Sequence, residues 1–345
     1  MRYDRQIALP GIGLEGQAKL SRARVLIIGA GGLGSPAALY LAGAGVGHLG
    51  LVDADRIELS NLHRQILYRT EDEGSSKVEC AATRLRSLNP EIQVQTYPVM
   101  VNAENVESLI TGYDLVIDGT DDLPTRGVVH DACYRAGKTY ILGAVFRFEG
   151  HVGVFSREQE SCLRCLFPDS EKATPANCNE AGTLGSVTGV IGSLQATEAL
   201  KVLLGIGEPL YSSLLIYDAL SARNRVWKFQ RRADCFCCGT GKREPMISFE
   251  AFLSEHPLSL VVDLRESHEL ASGVLPGAKS IPLARLEEAA LSWERTTPVL
   301  LYCQRGGRSK GGVEILRSFG FSQVHELTGG IEAFRRGSAQ VVQCP

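Results

Sequence analysis

One short stretch constrains the fold more than any other: Gly29-Ala-Gly-Gly-Leu-Gly34. It follows the apolar run Arg24-Val-Leu-Ile-Ile28 and precedes a segment, Ser35–Ala44, rich in Ala and Leu. The apolar run reads as a buried parallel strand and the following segment as a helix. Glycines between the two permit a tight turn and bring backbone N–H groups close to a phosphate. The helix N-terminus adds a favourable dipole.

The pattern repeats downstream. Leu49–Val52, Asp114–Asp118 and Thr139–Leu142 are short apolar strands, and Gly189–Leu204 is a long helical pattern. Strands separated by helical stretches imply an α/β, Rossmann-like, mostly parallel sheet. A length of 345 residues exceeds a usual single domain. Gly239-Thr-Gly-Lys-Arg-Glu-Pro245 reads as a linker. New strands follow at Leu260–Asp263 and Val299–Tyr302, so the expected division is a first domain over 1–240, a linker over 241–246 and a smaller α/β domain over 247–345. The net charge of -3 gives no reason to expect nucleic acid. No run is expected to approach the roughly 18 apolar residues that a membrane span needs. The charged N-terminus carries no secretory signal, and a cytoplasmic location is expected. Ten cysteines in such a chain suggest metal binding or thiol chemistry more than disulfides.

Taken alone, the glycine loop suits a nicotinamide-dependent oxidoreductase as well as an ATP enzyme. Asp53, at the end of the second strand, suits ribose hydroxyls in either case. The neighbouring residues favour a triphosphate. Asp53-Ala-Asp55 leads into Ser60-Asn61-Leu-His-Arg64-Gln65; Lys77 follows, and Asp118-Gly-Thr-Asp121-Asp122 closes a later strand. Arg5 sits near the start. Cations for phosphate oxygens and a carboxylate for magnesium are what ATP needs, whereas hydride transfer needs no such cluster. Each lone Arg or Lys also has a plain reading as a solvated surface charge.

The ordered set Arg-Tyr-Asp-Arg-Gln at 2–6, the glycine loop, Asp-Ala-Asp at 53–55, Ser-Asn-Leu-His-Arg-Gln at 60–65, Lys77 and Thr-Asp-Asp at 120–122 resembles the bacterial relatives of ubiquitin-activating enzymes. Closest are the molybdopterin-synthase and thiamine-biosynthesis adenylyltransferases, with His63 standing where Gln is usual. The resemblance implies ATP-dependent adenylation of the C-terminal Gly-Gly carboxylate of a small ubiquitin-like protein. It implies that Asp53 binds ribose, that Asn61, Arg64 and Lys77 bind phosphates, and that Asp121 holds Mg2+. Gly32, Asp55, Ser60 and Asp122 join the same nucleotide pocket. The family's counterpart of Arg5 reaches a neighbouring subunit, which implies a homodimer.

Cys162-Leu-Arg-Cys165 and Cys235-Phe-Cys-Cys238 are two Cys-X-X-Cys units whose spacing suits a closed, structural Zn2+ site, with a redox dithiol as the alternative. Cys237 adjoins both ligands of its pair at the wrong spacing. Cys178 fits no metal spacing. Local sequence leaves it inert, while the resemblance makes it a thiol that takes over the acyl group or closes an acyl-disulfide.

In the second domain Cys303-Gln-Arg-Gly-Gly-Arg308-Ser309 lies between the strand Val299–Tyr302 and a helical run over Lys310–Phe319. Such a loop turns backbone N–H groups toward sulfur and stabilises a thiolate or persulfide. A phosphatase-like loop of Cys-X5-Arg form is the competing reading, with Arg308 one residue short of that spacing and Ser309 at the position the form gives to Arg. Val261-Val-Asp-Leu-Arg-Glu266, Gly273-Val-Leu-Pro-Gly-Ala278, Ile281-Pro-Leu283 and Leu327-Thr-Gly-Gly-Ile331 make the segment resemble the rhodanese family, in which Cys303 would carry the persulfide. Joined, the two resemblances imply that a sulfur-carrier protein is adenylated and then converted to a thiocarboxylate. A cysteine desulfurase or thiosulfate would be the sulfur donor. Activation of a ubiquitin-like protein for conjugation, without sulfur transfer, is the rival within the same class; an oxidoreductase and a non-catalytic scaffold are the rivals outside it.

Overall fold

The computed structural model describes residues 2–159, 161–168, 182–240, 246–335 and 341–343. Cys178, Cys344 and linker residues 241–245 lie outside them. The chain divides into two compact units, one within residues 2–240 and one within residues 246–343.

The first unit is an eight-stranded sheet in the order β3-β2-β1-β4-β5-β6-β7-β8. β1 (Arg24–Ile28), β2 (His48–Val52), β3 (Gln93–Tyr97), β4 (Leu115–Asp118) and β5 (Thr139–Phe146) run parallel. β6 (Glu149–Phe155), β7 (Ser213–Asp218) and β8 (Arg223–Lys228) then extend it antiparallel. The eight helices described in this unit are α1 (Asp4–Ile7), α2 (Gly13–Arg22), α3 (Gly34–Ala44), α4 (Lys77–Leu88), α5 (Val106–Ile110), α6 (Leu123–Arg135), α7 (Leu163–Leu166) and α8 (Gly185–Leu204). Alternation along β1 feeds two cores. Val25 and Ile27 join Leu41, Leu49 and Leu85 on one face, while Leu26 and Ile28 join Val116, Val129 and Leu142 on the other. Burial on both faces explains why these strands are continuous apolar runs.

Sequence reading placed β1, β2, β4 and α3 to within a residue or two, but it stopped β5 at Leu142 and did not foresee β6, β7 or β8. β8 is exposed throughout and has no apolar alternation to mark it. The expectation that no run is long and apolar enough to span a membrane needs correction: α8 meets that requirement by length and composition. It packs against α3, β5 and β6 with half of its apolar window buried, as a core helix does.

The second unit is a six-stranded sheet in the order β11-β10-β12-β13-β14-β9. β10 (Leu260–Asp263), β11 (Lys279–Ser280), β12 (Val299–Tyr302) and β13 (Val324–Leu327) are parallel; β14 (Val341–Gln343) and β9 (Met246–Ile247) are antiparallel additions. Met246 already pairs with Val342, so the strand begins inside the expected linker. The helices are α9 (Phe249–Glu255), α10 (Leu286–Ala290), α11 (Gly307–Ser318) and α12 (Gly330–Arg335). Two apolar clusters, around Val262, Leu301 and Leu316 and around Phe252, Tyr302 and Ile331, fill the two faces.

Candidate functional site

In the first unit the strand order reverses between β1 and β4, and the carboxyl ends of those strands open the crevice where α/β sheets bind ligands. Gly29 leaves β1 at φ +88°, and a Cβ there would lie 2.8 Å from the Gly119 carbonyl oxygen. A Cβ on Gly34, the first residue of α3, would lie 1.9 Å from the Gly29 oxygen. Sterics alone therefore demand these two glycines.

Charged groups converge on this turn from separate segments. Asp53, just past β2, accepts the Ala30 N–H at 2.8 Å and so holds the loop. Its other oxygen accepts the Asp55 N–H at 2.9 Å. Lys77, at the start of α4, is only 5% exposed. Its ammonium lies 2.7 Å from Asp55 and 4.0 Å from Asp53. Asn61 is buried on the same connection, and Arg64 donates to the Ser60 carbonyl at 3.1 Å and to His63 Nε2 at 2.8 Å. Ser60 donates to Glu58 at 3.1 Å. Gly32 faces Thr188 of α8.

The turn after β4 is braced from below. Asp118 is fully buried and accepts the Thr120 N–H at 2.8 Å, the Thr120 hydroxyl at 2.7 Å and the Tyr140 hydroxyl. Burial pushes the Asp118 carboxyl above its ordinary range, and burial together with that carboxylate pushes the Tyr140 phenol up. Arg126 donates to the Thr120 carbonyl, and Gln195 of α8 donates to the Asp118 carbonyl at 2.7 Å. This frame presents Asp121 exposed, with no partner among the described residues. The Asp122 carboxylate accepts the Thr125 N–H at 3.0 Å as the N-cap of α6.

Arg5 stands apart from this group. It is exposed on α1, and its neighbour Gln6 donates to the Ala44 carbonyl at the far end of α3. Ten helical steps separate that end from Gly34, about 15 Å. Sequence reading gave no role to Gln65, Asp118, Tyr140, Arg126 or Gln195. Gln65 is 4% exposed, lies beside Gly31 and has an unpartnered side-chain oxygen. The Ser35 hydroxyl, at the start of α3, is likewise buried without a partner. Orphaned polar atoms at the loop, with Lys77 and the exposed Asp121, fit a polyphosphate with a bound cation.

The four cysteines come together as expected. Cys162, Cys165, Cys235 and Cys238 are buried, with their ligand atoms all within 4.8 Å of one another. The recorded sulfur–sulfur separations are 3.9 Å for Cys162–Cys165, 3.6 Å for Cys162–Cys235 and 3.3 Å for Cys165–Cys238. Tetrahedral zinc thiolates have edges of about 3.8 Å, so the set can hold a metal ion.

In the second unit Cys303 ends β12 and is 2% exposed. Gly306, at φ +98°, directs its N–H to the Cys303 sulfur at 3.1 Å. Ser309 lies 3.9 Å from that sulfur and donates to buried Glu326 at 2.8 Å. Arg308 makes two contacts of 2.6 Å with Glu269, and that pairing holds the Glu269 carboxyl down at about 2. Arg305 lies within 3.2 Å of Glu332. Gly330 at φ +63° packs its backbone on the Cys303 and Gln304 carbonyls, and the Ile331 N–H donates to the Cys303 carbonyl oxygen at 3.0 Å. The buried pair Asp263–Arg265, at 2.7 Å, braces Gln304 from beneath. Arg308 is thus turned to Glu269, and Ser309 stands where a Cys-X5-Arg phosphatase loop would need its arginine.

Comparison with known proteins agrees with both halves. Residues 3–237 match the ThiF family, and residues 248–336 match the rhodanese-like domain. "Adenylyltransferase and sulfurtransferase MOCS3-1" of Zea mays is 38% identical, over 97% of this chain and 81% of its own. "Sulfur carrier protein adenylyltransferase" of Thermus thermophilus is 48% identical, over 73% of this chain and 95% of its own. A crystal structure of E. coli MccB with ATP superposes with a TM-score of 0.58 at 25% identity, covering 65% of this chain and 68% of that one. The order of the two matches, the relatives that share it and the two loops agree: this chain belongs to the ThiF family and carries a rhodanese-like domain after its ThiF region.

Proposed function

We propose that this enzyme adenylates the C-terminal Gly-Gly carboxylate of a small ubiquitin-like sulfur-carrier protein and then transfers sulfur to it through Cys303. The observation that carries the reading is the pairing, in one chain, of a glycine loop ringed by Lys77, Asp53 and Asp121 with a loop that aims a backbone N–H at a cysteine sulfur.

In the first step a carrier carboxylate oxygen attacks the α-phosphorus of ATP, and the bond to the departing pyrophosphate breaks. Lys77, Arg64 and Asn61 offset the charge on the phosphate oxygens, and Asp53 meets the ribose. Lys77 rests against Asp55 and turns from that carboxylate to the phosphates. Magnesium, held by Asp121, supplies further charge neutralisation when bound. Arg5, lying far from its own chain's loop, completes the site of a second copy in a homodimer. Zinc on Cys162, Cys165, Cys235 and Cys238 is structural, since four thiolates leave no open position.

In the second step the outer sulfur of a Cys303 persulfide attacks the acyl carbon and AMP leaves. The product is an acyl-disulfide on Cys303. A second thiolate, for which Cys178 is the candidate, attacks the Cys303 sulfur. The thiocarboxylate leaves on the carrier, and a Cys178–Cys303 disulfide remains for a cellular reductant to open. A cysteine desulfurase or thiosulfate loads Cys303, and the enzyme works in the cytoplasm. Mass spectrometry of a carrier incubated with enzyme, ATP and sulfur donor tests the sequence. A thiocarboxylate is expected; a carrier that gains AMP and never sulfur overturns the second step.

A further inference from the structure

A fifth thiol borders the four-cysteine set. Cys237 is half-buried, whereas the four ligands are buried. Its sulfur, the Cys162 sulfur and a His130 ring nitrogen all lie within 4.8 Å of one another. His130 is prepared as a ligand. It is 1% exposed, and its Nδ1 lies 3.1 Å from Asp131, which Arg164 holds through contacts of 2.9 and 2.8 Å. That arrangement keeps the proton on Nδ1 and leaves the lone pair on Nε2. Nε2 accepts the Leu163 N–H at 3.1 Å, a first-turn donor of α7.

We propose that His130, Cys162 and Cys237 form a second, three-donor zinc set that shares Cys162 with the four-thiolate set and is the route by which the ion enters and leaves. This rests on the four-thiolate site holding zinc. A closed, buried tetrahedron gives an incoming ligand no vacant position. Cys237, nearer solvent, supplies one. Its thiol loses a proton to water, a zinc–Cys237 bond forms, and a bond to one of the other three thiolates breaks. Cys162 keeps hold of the ion throughout. His130 then replaces a second thiolate, and the last of the three takes a proton from water and leaves, so that His130, Cys162 and Cys237 remain with one open position. Occupying His130 takes the acceptor away from Leu163, so this set is a transit state and the four thiolates the resting one.

Zinc content and the rate of zinc transfer to excess pyridylazoresorcinol, measured on the full chain, test this. Wild type, Cys237→Ser and His130→Gln, whose amide oxygen still accepts from Leu163, are each expected to hold about one zinc. Both variants release it about tenfold more slowly, and the double variant is no slower than either. Equal rates overturn the proposal. Loss of zinc from Cys237→Ser also overturns it, since Cys237 would then be a resident ligand. Native protein that binds no zinc removes the four-thiolate reading itself, an outcome distinct from unchanged rates.

Discussion

The loops at Gly29–Gly34 and Cys303–Ser309 occupy equivalent places, each after a parallel strand and before a helix, yet they gather their chemistry differently. The glycine loop contributes backbone and space; its polar groups come from two other connections, Asp53, Asn61 and Lys77 between β2 and α4 and Asp121 after β4. The cysteine loop contains its own thiol, its own N–H donor at Gly306 and its own hydroxyl at Ser309. Its arginines are matched by carboxylates of the same unit, Glu269 and Glu332. A site assembled from distant segments depends on several side chains in parallel, whereas a self-contained loop depends on one atom.

That contrast is broken most directly at Cys303. Cys303→Ser is expected to abolish sulfur transfer from thiosulfate to cyanide altogether, because no other group in the loop can carry a persulfide. Carrier-dependent ATP–pyrophosphate exchange should stay at the wild-type rate. Sulfur transfer that survives the substitution would refute the role of Cys303.

Lys77→Ala and Asp121→Ala are the converse. Each removes one of several contributors, so exchange should fall about 10²- to 10³-fold, with thiosulfate–cyanide transfer unaffected. Wild-type exchange in either variant would show that these charges are ordinary surface groups.

The same contrast explains what the sequence disclosed. The glycine loop was legible because Gly29 and Gly34 meet backbone oxygens that exclude any side chain. The paired Cys-X-X-Cys units were legible because thiolates at that spacing have few uses. The Cys303 loop could be read whole, since its parts are adjacent in the chain. The supports of Asp118 could not be read: Gln195 lies 77 residues away and Tyr140 lies 22 residues away, and only packing brings them to that aspartate. Asp122 was assigned to the nucleotide pocket on its motif, but position alone did not reveal that its carboxylate caps α6. Nor did spacing show Arg308 meeting Glu269, 39 residues earlier. Among the antiparallel strands, β8, Arg223-Asn-Arg-Val-Trp-Lys228, was not legible because it is exposed along its length and lacks a buried face.

Gly34 carries the next largest effect. Adding a methyl group there forces it against the Gly29 carbonyl, a backbone atom fixed by its approach to Gly119. Gly34→Ala should cost about 3 kcal/mol in denaturant unfolding of the first unit and lower ATP–pyrophosphate exchange as well. Unchanged stability would mean that the turn relaxes freely and that the glycine is not a steric requirement.

Gly307 is the counterpart, since it too is the first residue of a helix in its loop. A Cβ there meets nothing within 4 Å, and its φ is not in the left-handed region. Only its predecessor, Gly306 at φ +98°, needs glycine to aim its N–H at Cys303. Gly307→Ala should therefore shift stability by no more than about 0.5 kcal/mol and leave sulfur transfer intact. A large loss of transfer with unchanged stability would place Gly307 against the sulfur donor. The cysteine loop would then resemble the glycine loop in needing open space for its ligand.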